Sequence, residues 1–427
     1  MVSVAKHNTP VLRFDGFDGE WDTSSLGELG VPVSGVGFPH SEQGGEVGIP
    51  FFKVSDMGRS ANVRELLFAA NCVSPEQVKK RGWQVINGPA VVFAKVGAAV
   101  LLDRKRLVRG QFLADNNMMA FVLSQTALTP DFALSLFGTL SLSSLVQVGA
   151  LPSINGSQVK AMKVSTPRNL EEQRAIGELF ADLDALIEQH RAKHANLQQT
   201  KTALMQRMFP QDGADEPELR LGGFSGAWEI QPFSDLVAYR GNNSLSRADL
   251  TDVPTAAMNI HYGDILVKYD SVVDVSQTDV PFVQDVERLS NVSRQSLSDG
   301  DVLFADAAED STVGKCVEVQ GISANLVLAG LHTISARPVR AFAPGFLGHA
   351  LNAPSFHNQL LLKMQGTKVS SISTSTLAET VFAFPTLEEQ RAIGEVFSNL
   401  DALITVEHRY ITQLTQAKTA LLQRMFV

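Results

Sequence analysis

The nonapeptide LEEQRAIGE is written twice in this chain, at residues 170–178 and again at 387–395. The identity does not stop there. Residues 170–209 and 387–426 align without a gap and agree at 25 of 40 positions. Upstream, PVLRFDGFDGEW (10–21) matches PELRLGGFSGAW (217–228), pairing Arg13 with Arg220 and Trp21 with Trp228. Just before each long segment, LPSINGSQVKAMKVSTP (151–167) resembles VSSISTSTLAETVFAFP (369–385). A chain built this way has to fold as two copies of one frame, and the frame has to tolerate interiors that differ.

The long segments read as helices. Asn169 and Thr386 are placed to cap their N-termini, with Glu172 and Glu389 three residues on in capping-box spacing. Pro167 and Pro385 lie upstream, where they interrupt nothing. Ala, Leu, Gln, Glu, Lys and Arg fill the rest, all good helix formers. The apolar positions step by four and three, as a heptad seam does. The first seam runs through Ile176, Phe180, Leu183, Ile187, Leu197 and Leu204, the second through Ile393, Phe397, Leu400, Ile404, Leu414 and Leu421. A lone helix with such a seam exposes it, and the simplest partner is the other copy. A pseudo-twofold axis makes the pair antiparallel and puts His190 near Glu407, a polar pair that would set the register. Gly177 and Gly394 each cost a helix about 1 kcal/mol, so their recurrence predicts close approach by another element.

The expected fold class is α+β, with two globular α/β domains separated by a long antiparallel two-helix coiled coil. The boundaries are 1–167 for the first domain and 168–209 for its helix. A linker follows at 210–217, then the second domain at 218–385 and its helix at 386–427. The interiors, roughly 31–140 and 238–350, show no comparable similarity. One short exception pairs NGPAVVFAKVG (87–97) with DGDVLFADAAE (299–309), each a buried strand after a Gly turn.

Composition excludes several classes. No apolar run approaches the roughly 18 residues of a membrane span. Two cysteines, Cys72 and Cys316, make neither a disulfide framework nor a cysteine metal site, and a reducing cytoplasm fits. Glycine-rich nucleotide loops and an Asn-Pro-Pro-aromatic run are absent from the sequence. His190 and His194 have i, i+4 spacing, but no third ligand is near in sequence, although antiparallel pairing would let Glu407 approach; seam packing or solvent exposure is favoured over a metal. The net charge of −9 divides unevenly, +3 over residues 1–169 and −7 over 218–386, so a basic surface remains possible in the first domain.

Two diverged globular segments, each opened by P-x-L-R-x-x-G-F-x-G-x-W and each closed by a LEEQ helix after a proline, resemble the specificity (S) subunit of type I restriction–modification systems. The resemblance covers the whole chain as organisation, and at residue level the opening motifs, the closing motifs and the helices. It implies that each variable segment is a target recognition domain reading half of a split double-stranded DNA sequence. It implies that the helices space the two domains and dock two methyltransferase (M) subunits, with restriction (R) subunits joining through that methyltransferase–specificity complex. S-adenosylmethionine then belongs to the methyltransferase partner, and ATP and Mg to the restriction partner. By the same resemblance the chain itself is expected to hold no cofactor and no catalytic residue. A helix of about 39 residues is roughly 58 Å long, which caps the spacing of half-sites at about 17 base pairs.

Candidate DNA contacts in the first domain are Lys79, Lys80, Arg81, Arg104, Lys105, Arg106 and Arg109, suited to phosphate and guanine. The second domain offers Tyr239, Arg240, Asn242, Asn243, Lys268, Arg288, Arg294, Lys315 and Lys368, the last in a Gly/Ser/Thr loop. Any of these charge runs can equally be a solvated face. Two other readings stay open: a self-contained DNA methyltransferase or nuclease with an unfamiliar site, and a coiled-coil scaffold whose domains bind protein.

Overall fold

The sequence interiors differ, yet they fold to one strand order. In the computed structural model the chain divides into two units, residues 1–191 with 409–427, and residues 192–408. The structure describes residues 8–146, 152–211, 213–289, 292–323, 326–364 and 370–427.

In the first unit the principal sheet is antiparallel, in the order Gly30–Ser34, Met118–Leu123, Ala90–Ala94, Lys105–Val108. A second sheet orders Cys72–Val73, Ile49–Phe52, Gln111–Ala114 and Ile86–Asn87. The segment that follows the opening motif meets the closing motif as a two-stranded ladder, Asp22–Ser25 against Lys163–Thr166. The second unit repeats this plan. Val237–Arg240, Thr333–Pro338, Val302–Ala305 and Cys316–Gln320 follow in the same order, with Val272–Asp274 added in parallel at the far edge. Glu229–Pro232 pairs with Val381–Phe384 as the equivalent ladder. The central strands Ala90–Ala94 and Val302–Ala305 are buried along their whole length, as expected of apolar runs that follow a Gly turn.

Each repeated segment is one continuous helix, Leu170–Arg207 and Leu387–Met425. They are termed the first and second arm helices. Within the first unit, Asp184 of the first arm faces Lys418 of the second, and His190 stacks on Tyr410. Within the second unit, Lys193 faces Glu407, His194 lies against His408, and Lys201 faces Asp401. Numbers rise along one helix as they fall along the other, so the arms pack antiparallel. Ile176 and Phe180 bury into the first unit's core with Leu183 and Leu421 beside them. Ile393 and Phe397 do the same in the second unit, with Leu204 and Leu400. Ile187 is buried as well, while Leu197, Ile404 and Leu414 are half-buried.

The cores are completed by exchange. Phe426, at the end of the second arm, packs against Trp21, Phe132 and Phe180 in the first unit. Phe209, at the end of the first arm, packs against Trp228, Phe346 and Phe397 in the second.

Both helical glycines mark close approach. A Cβ on Gly177 would lie 2.6 Å from the backbone nitrogen of Phe132, and one on Gly394 would lie 2.9 Å from the carbonyl oxygen of Pro344. In each case the neighbour is the backbone at or just before the N-terminus of a helix packed on the sheet, Pro130–Thr139 or Phe346–Asn352. Gly177→Val should therefore lower first-unit stability by about 1–3 kcal/mol through overpacking. Urea titration of the variant checks this; an unchanged midpoint would mean that the helices can separate freely.

Candidate nucleic-acid interface

The residues shared by the two copies do structural work at the root of each arm. Arg13 donates from Nε and Nη2 to the two oxygens of Glu172, each at 2.8 Å, and from Nη1 to the carbonyl of Gly19 at 2.6 Å. Arg220 repeats this geometry with Glu389 and Gly226, at the same distances. The indole N–H of Trp21 adds a third bond to Glu172. This corrects the capping-box expectation. Asn169 does accept the N–H of Glu171 at 2.8 Å, but the Glu172 and Glu389 side chains turn to a guanidinium instead. A carboxylate with only 2% of its side chain exposed is better satisfied by a two-pronged cation than by one backbone N–H. The neighbouring Gln173 bonds the N–H of Thr129 and the carbonyls of Ala127 and Pro167. Gln390 bonds the N–H of Ala343 and the carbonyl of Pro385. The LEEQ phrase is thus a joint that fixes a sheet domain to an arm. The pairing of Arg13 with Arg220 across the repeats was the signal for it.

The candidate DNA contacts distribute unevenly. Lys79, Lys80 and Arg81 form the last turn of helix Pro75–Arg81 and are exposed, with Arg81 bound to Glu42 at 2.6 Å. Arg104 is exposed at the rim of a cavity of about 390 Å³ that also takes in Asp184 and Arg191 of the first arm. Lys105 is held by Asp103 and the carbonyl of Leu140, and burial pulls its ammonium below the ordinary lysine value. Arg106 spends its guanidinium on the carbonyls of Asn62, Met57 and Lys105. Arg109 binds Glu65 and Asp131. Arg64, which the sequence did not single out, joins Asp131 to Asp184 and so ties the sheet domain to the arm.

In the second unit, the Tyr239 hydroxyl is buried without a hydrogen-bond partner, and burial pushes it up to about 12. Arg240 lies opposite Ser335 in the sheet. Asn242 holds the carbonyl of Thr333 at 2.9 Å, and Asn243 donates to Asn259 at 2.6 Å. Both asparagines line a cavity of about 330 Å³ with Gln295, Asp306 and His332. Lys268 caps the carbonyl of Asp279. Lys315 binds the carbonyls of Tyr269 and Leu266, and burial lowers its ammonium. Arg294 is exposed, and its carbonyl accepts from Gly241. Lys368 and the Arg288 side chain lie outside the described residues. Among the described residues, no group of three His, Cys, Asp or Glu side chains could hold a metal ion, and no helix is long and apolar enough to cross a membrane.

Each unit is an α/β sheet domain locked to the root of its arm helix by the same Arg–Glu joint, so the two units are copies of one architecture. Residues 18–199 match the type I restriction modification DNA specificity domain. A putative type I restriction enzyme MjaX specificity subunit of Methanocaldococcus jannaschii is 23% identical over 210 residues, 48% of this chain and 47% of that protein. The type I restriction enzyme MjaVIII specificity subunit of the same organism is 21% identical over 286 residues, 65% of this chain and 64% of that one. The chain thus spans about half the length of the first of these relatives and just under two thirds of the second. The S subunit of a type I restriction–modification system from M. genitalium superposes with a TM-score of 0.59 at 12% identity, over 98% of this chain and 99% of that one. A structure from work on complex assembly and conformational transition of the type I R-M system gives a TM-score of 0.51 at 15% identity, over 95% and 97%. Over residues 18–199 the chain thus matches the type I restriction modification DNA specificity domain, on a fold shared with the M. genitalium S subunit.

Proposed function

We propose that this chain is the DNA-reading and assembly subunit of a type I restriction–modification complex. Each sheet domain reads one half of a split, asymmetric duplex target, and the arms set the gap between the halves. Two methyltransferase subunits dock on the arms and methylate adenine with S-adenosylmethionine. Restriction subunits join through them, and the chain itself performs no chemistry. On this reading residues 1–167 and 218–385 are the two reading domains, and 168–209 and 386–427 the arms.

The observation that carries this is the contrast between what the two copies keep and what they change. The Arg–Glu–Gln joint and the strand order recur, while the interiors share almost no sequence. The arms repeat the contrast on their surfaces. Arg174 and Arg391, Glu178 and Glu395, and Leu186 and Leu403 are identical pairs although all are exposed. None of residues 188–196 matches its counterpart in 405–413. Exposed residues that internal packing does not require, retained in both copies, fit two docking sites for one kind of partner near the arm roots. Exposed leucines at 39% and 45% accessibility fit a protein partner better than a nucleic acid. Lys79, Lys80 and Arg104 are the first-domain cations best placed for phosphate, since Lys105, Arg106 and Arg109 are engaged within the domain.

The experiment is co-expression with the methyltransferase subunits followed by sequencing of methylated adenines. One split motif should appear, and exchanging residues 1–167 for those of another specificity subunit should change one half of it. Methyl transfer by the purified chain alone would place it in the enzyme class instead.

A further inference from the structure

The central strand of each principal sheet ends at an equivalent place, after Ala94 in the first unit and after Ala305 in the second. Backbone hydrogen bonds carry the equivalence one residue further. The N–H of Lys95 donates to the carbonyl of Asn117 at 2.8 Å, and its carbonyl accepts from Ile154 at 2.8 Å. The N–H of Asp306 donates to the carbonyl of His332 at 3.0 Å, and its carbonyl accepts from Ile372 at 2.9 Å. Ser153 bridges Val96 just beyond, as Ser371 pairs with Ala307. The same backbone position, framed by the same turn and the same closing segment, therefore carries a cation in one unit and an anion in the other.

The surroundings of Asp306 are not those of a residue held for stability. Its carboxylate faces the Nδ1 of His332 at 3.1 Å, and His332 is itself half-exposed. Burial raises the Asp306 carboxyl above the ordinary aspartate value, and His332 only partly opposes this. His332 sits at φ +55, in the left-handed region that side chains rarely adopt. Asn242 braces the following residue through the Thr333 carbonyl. In the same cavity wall, the Oε1 of the 8%-exposed Gln295 has no hydrogen-bond partner. A strained turn, a disfavoured carboxylate and an unsatisfied amide oxygen converge on one concave opening. Such features cluster where a fold is shaped for a ligand.

Resting on the DNA-reading function proposed above, we propose that Lys95 and Asp306 are the base-discriminating residues of the two half-sites, equivalent in place and opposite in polarity. Lys95 donates to a guanine edge, whose major-groove O6 and N7 are acceptors, in the half-site read by residues 1–167. Asp306 accepts from the exocyclic amino group of cytosine in the half-site read by residues 218–385. Asn117 and His332 flank them from the turn. One frame thereby reads two unlike half-sites by exchanging charge at one strand end.

The test uses the full chain in complex with its methyltransferase subunits. The complex is given S-adenosylmethionine and a duplex library randomised across both half-sites, and the methylated products are sequenced. Asp306→Asn, isosteric but with an amide donor, should lose about tenfold in preference at one position of the second half-site. It should leave the first half-site unchanged, which also reports that the variant complex is assembled. Lys95→Met should do the reverse. The proposal is overturned if both variants keep the parent motif in both halves, or if Asp306→Asn abolishes transfer to every library member. A parent complex that methylates without sequence preference would instead remove the reading function itself.

Discussion

Phe209→Ala should destabilise the second unit by about 3–5 kcal/mol, the usual loss when a buried aromatic is truncated in a core that cannot collapse around the space. Phe209 is 2% exposed and sits among Trp228, Phe346 and Phe397, stacked on the last at 5.7 Å between ring centroids. In sequence it belongs to the end of the first repeat. Hydrogen exchange resolved by peptide should nevertheless show the loss of protection in residues 228–397. Loss confined to residues 8–146 would mean that the exchanged packing of the arm ends is wrong.

Arg220→Ala should be comparably damaging, by about 3–5 kcal/mol, because it strands a buried carboxylate. Glu389 is almost fully enclosed and spends both oxygens on that one guanidinium. Joint replacement, Arg220→Met with Glu389→Met, should recover most of the loss, since an apolar pair leaves no buried charge unpaired. Denaturant titrations of the single and double variants give the comparison. A double variant no more stable than Arg220→Ala would show that the joint acts through shape rather than charge.

The frame was legible because it is repeated. Arg13 with Arg220, Gly177 with Gly394 and the two LEEQ runs stood out as identities, and each proved to occupy a place where packing or charge leaves little choice. The arms were legible from their seam and composition. The shared strand order of the interiors was not, because a sheet position asks for a buried apolar residue and many sequences supply one. Ala90–Ala94 and Val302–Ala305 could be paired only through the Gly turn before them. The candidate interface was legible only as a set of charged and polar side chains, without their partners. Counting cations selected Lys105 and Arg106, whose charge is spent on nearby acceptors that only the fold brings within reach. It passed over Asp306, an anion whose place is defined by hydrogen bonds to residues 26 and 66 positions away.

One pair of backbone contacts has a topological consequence. The N–H of Leu219 donates to the carbonyl of Arg207 at 2.8 Å, across the linker of residues 210–217. The N–H of Leu12 donates to the carbonyl of Arg424 at the same distance, although the two residues are remote in sequence. These are the two seams of one closed circuit of hydrogen bonds and chain, the first spanned by a short linker and the second by the hydrogen bond alone. Connectivity is therefore interchangeable between the seams. A chain opened at the linker and rejoined from Phe426 to Leu12 would trace the same circuit, with the two sheet domains in the opposite genetic order.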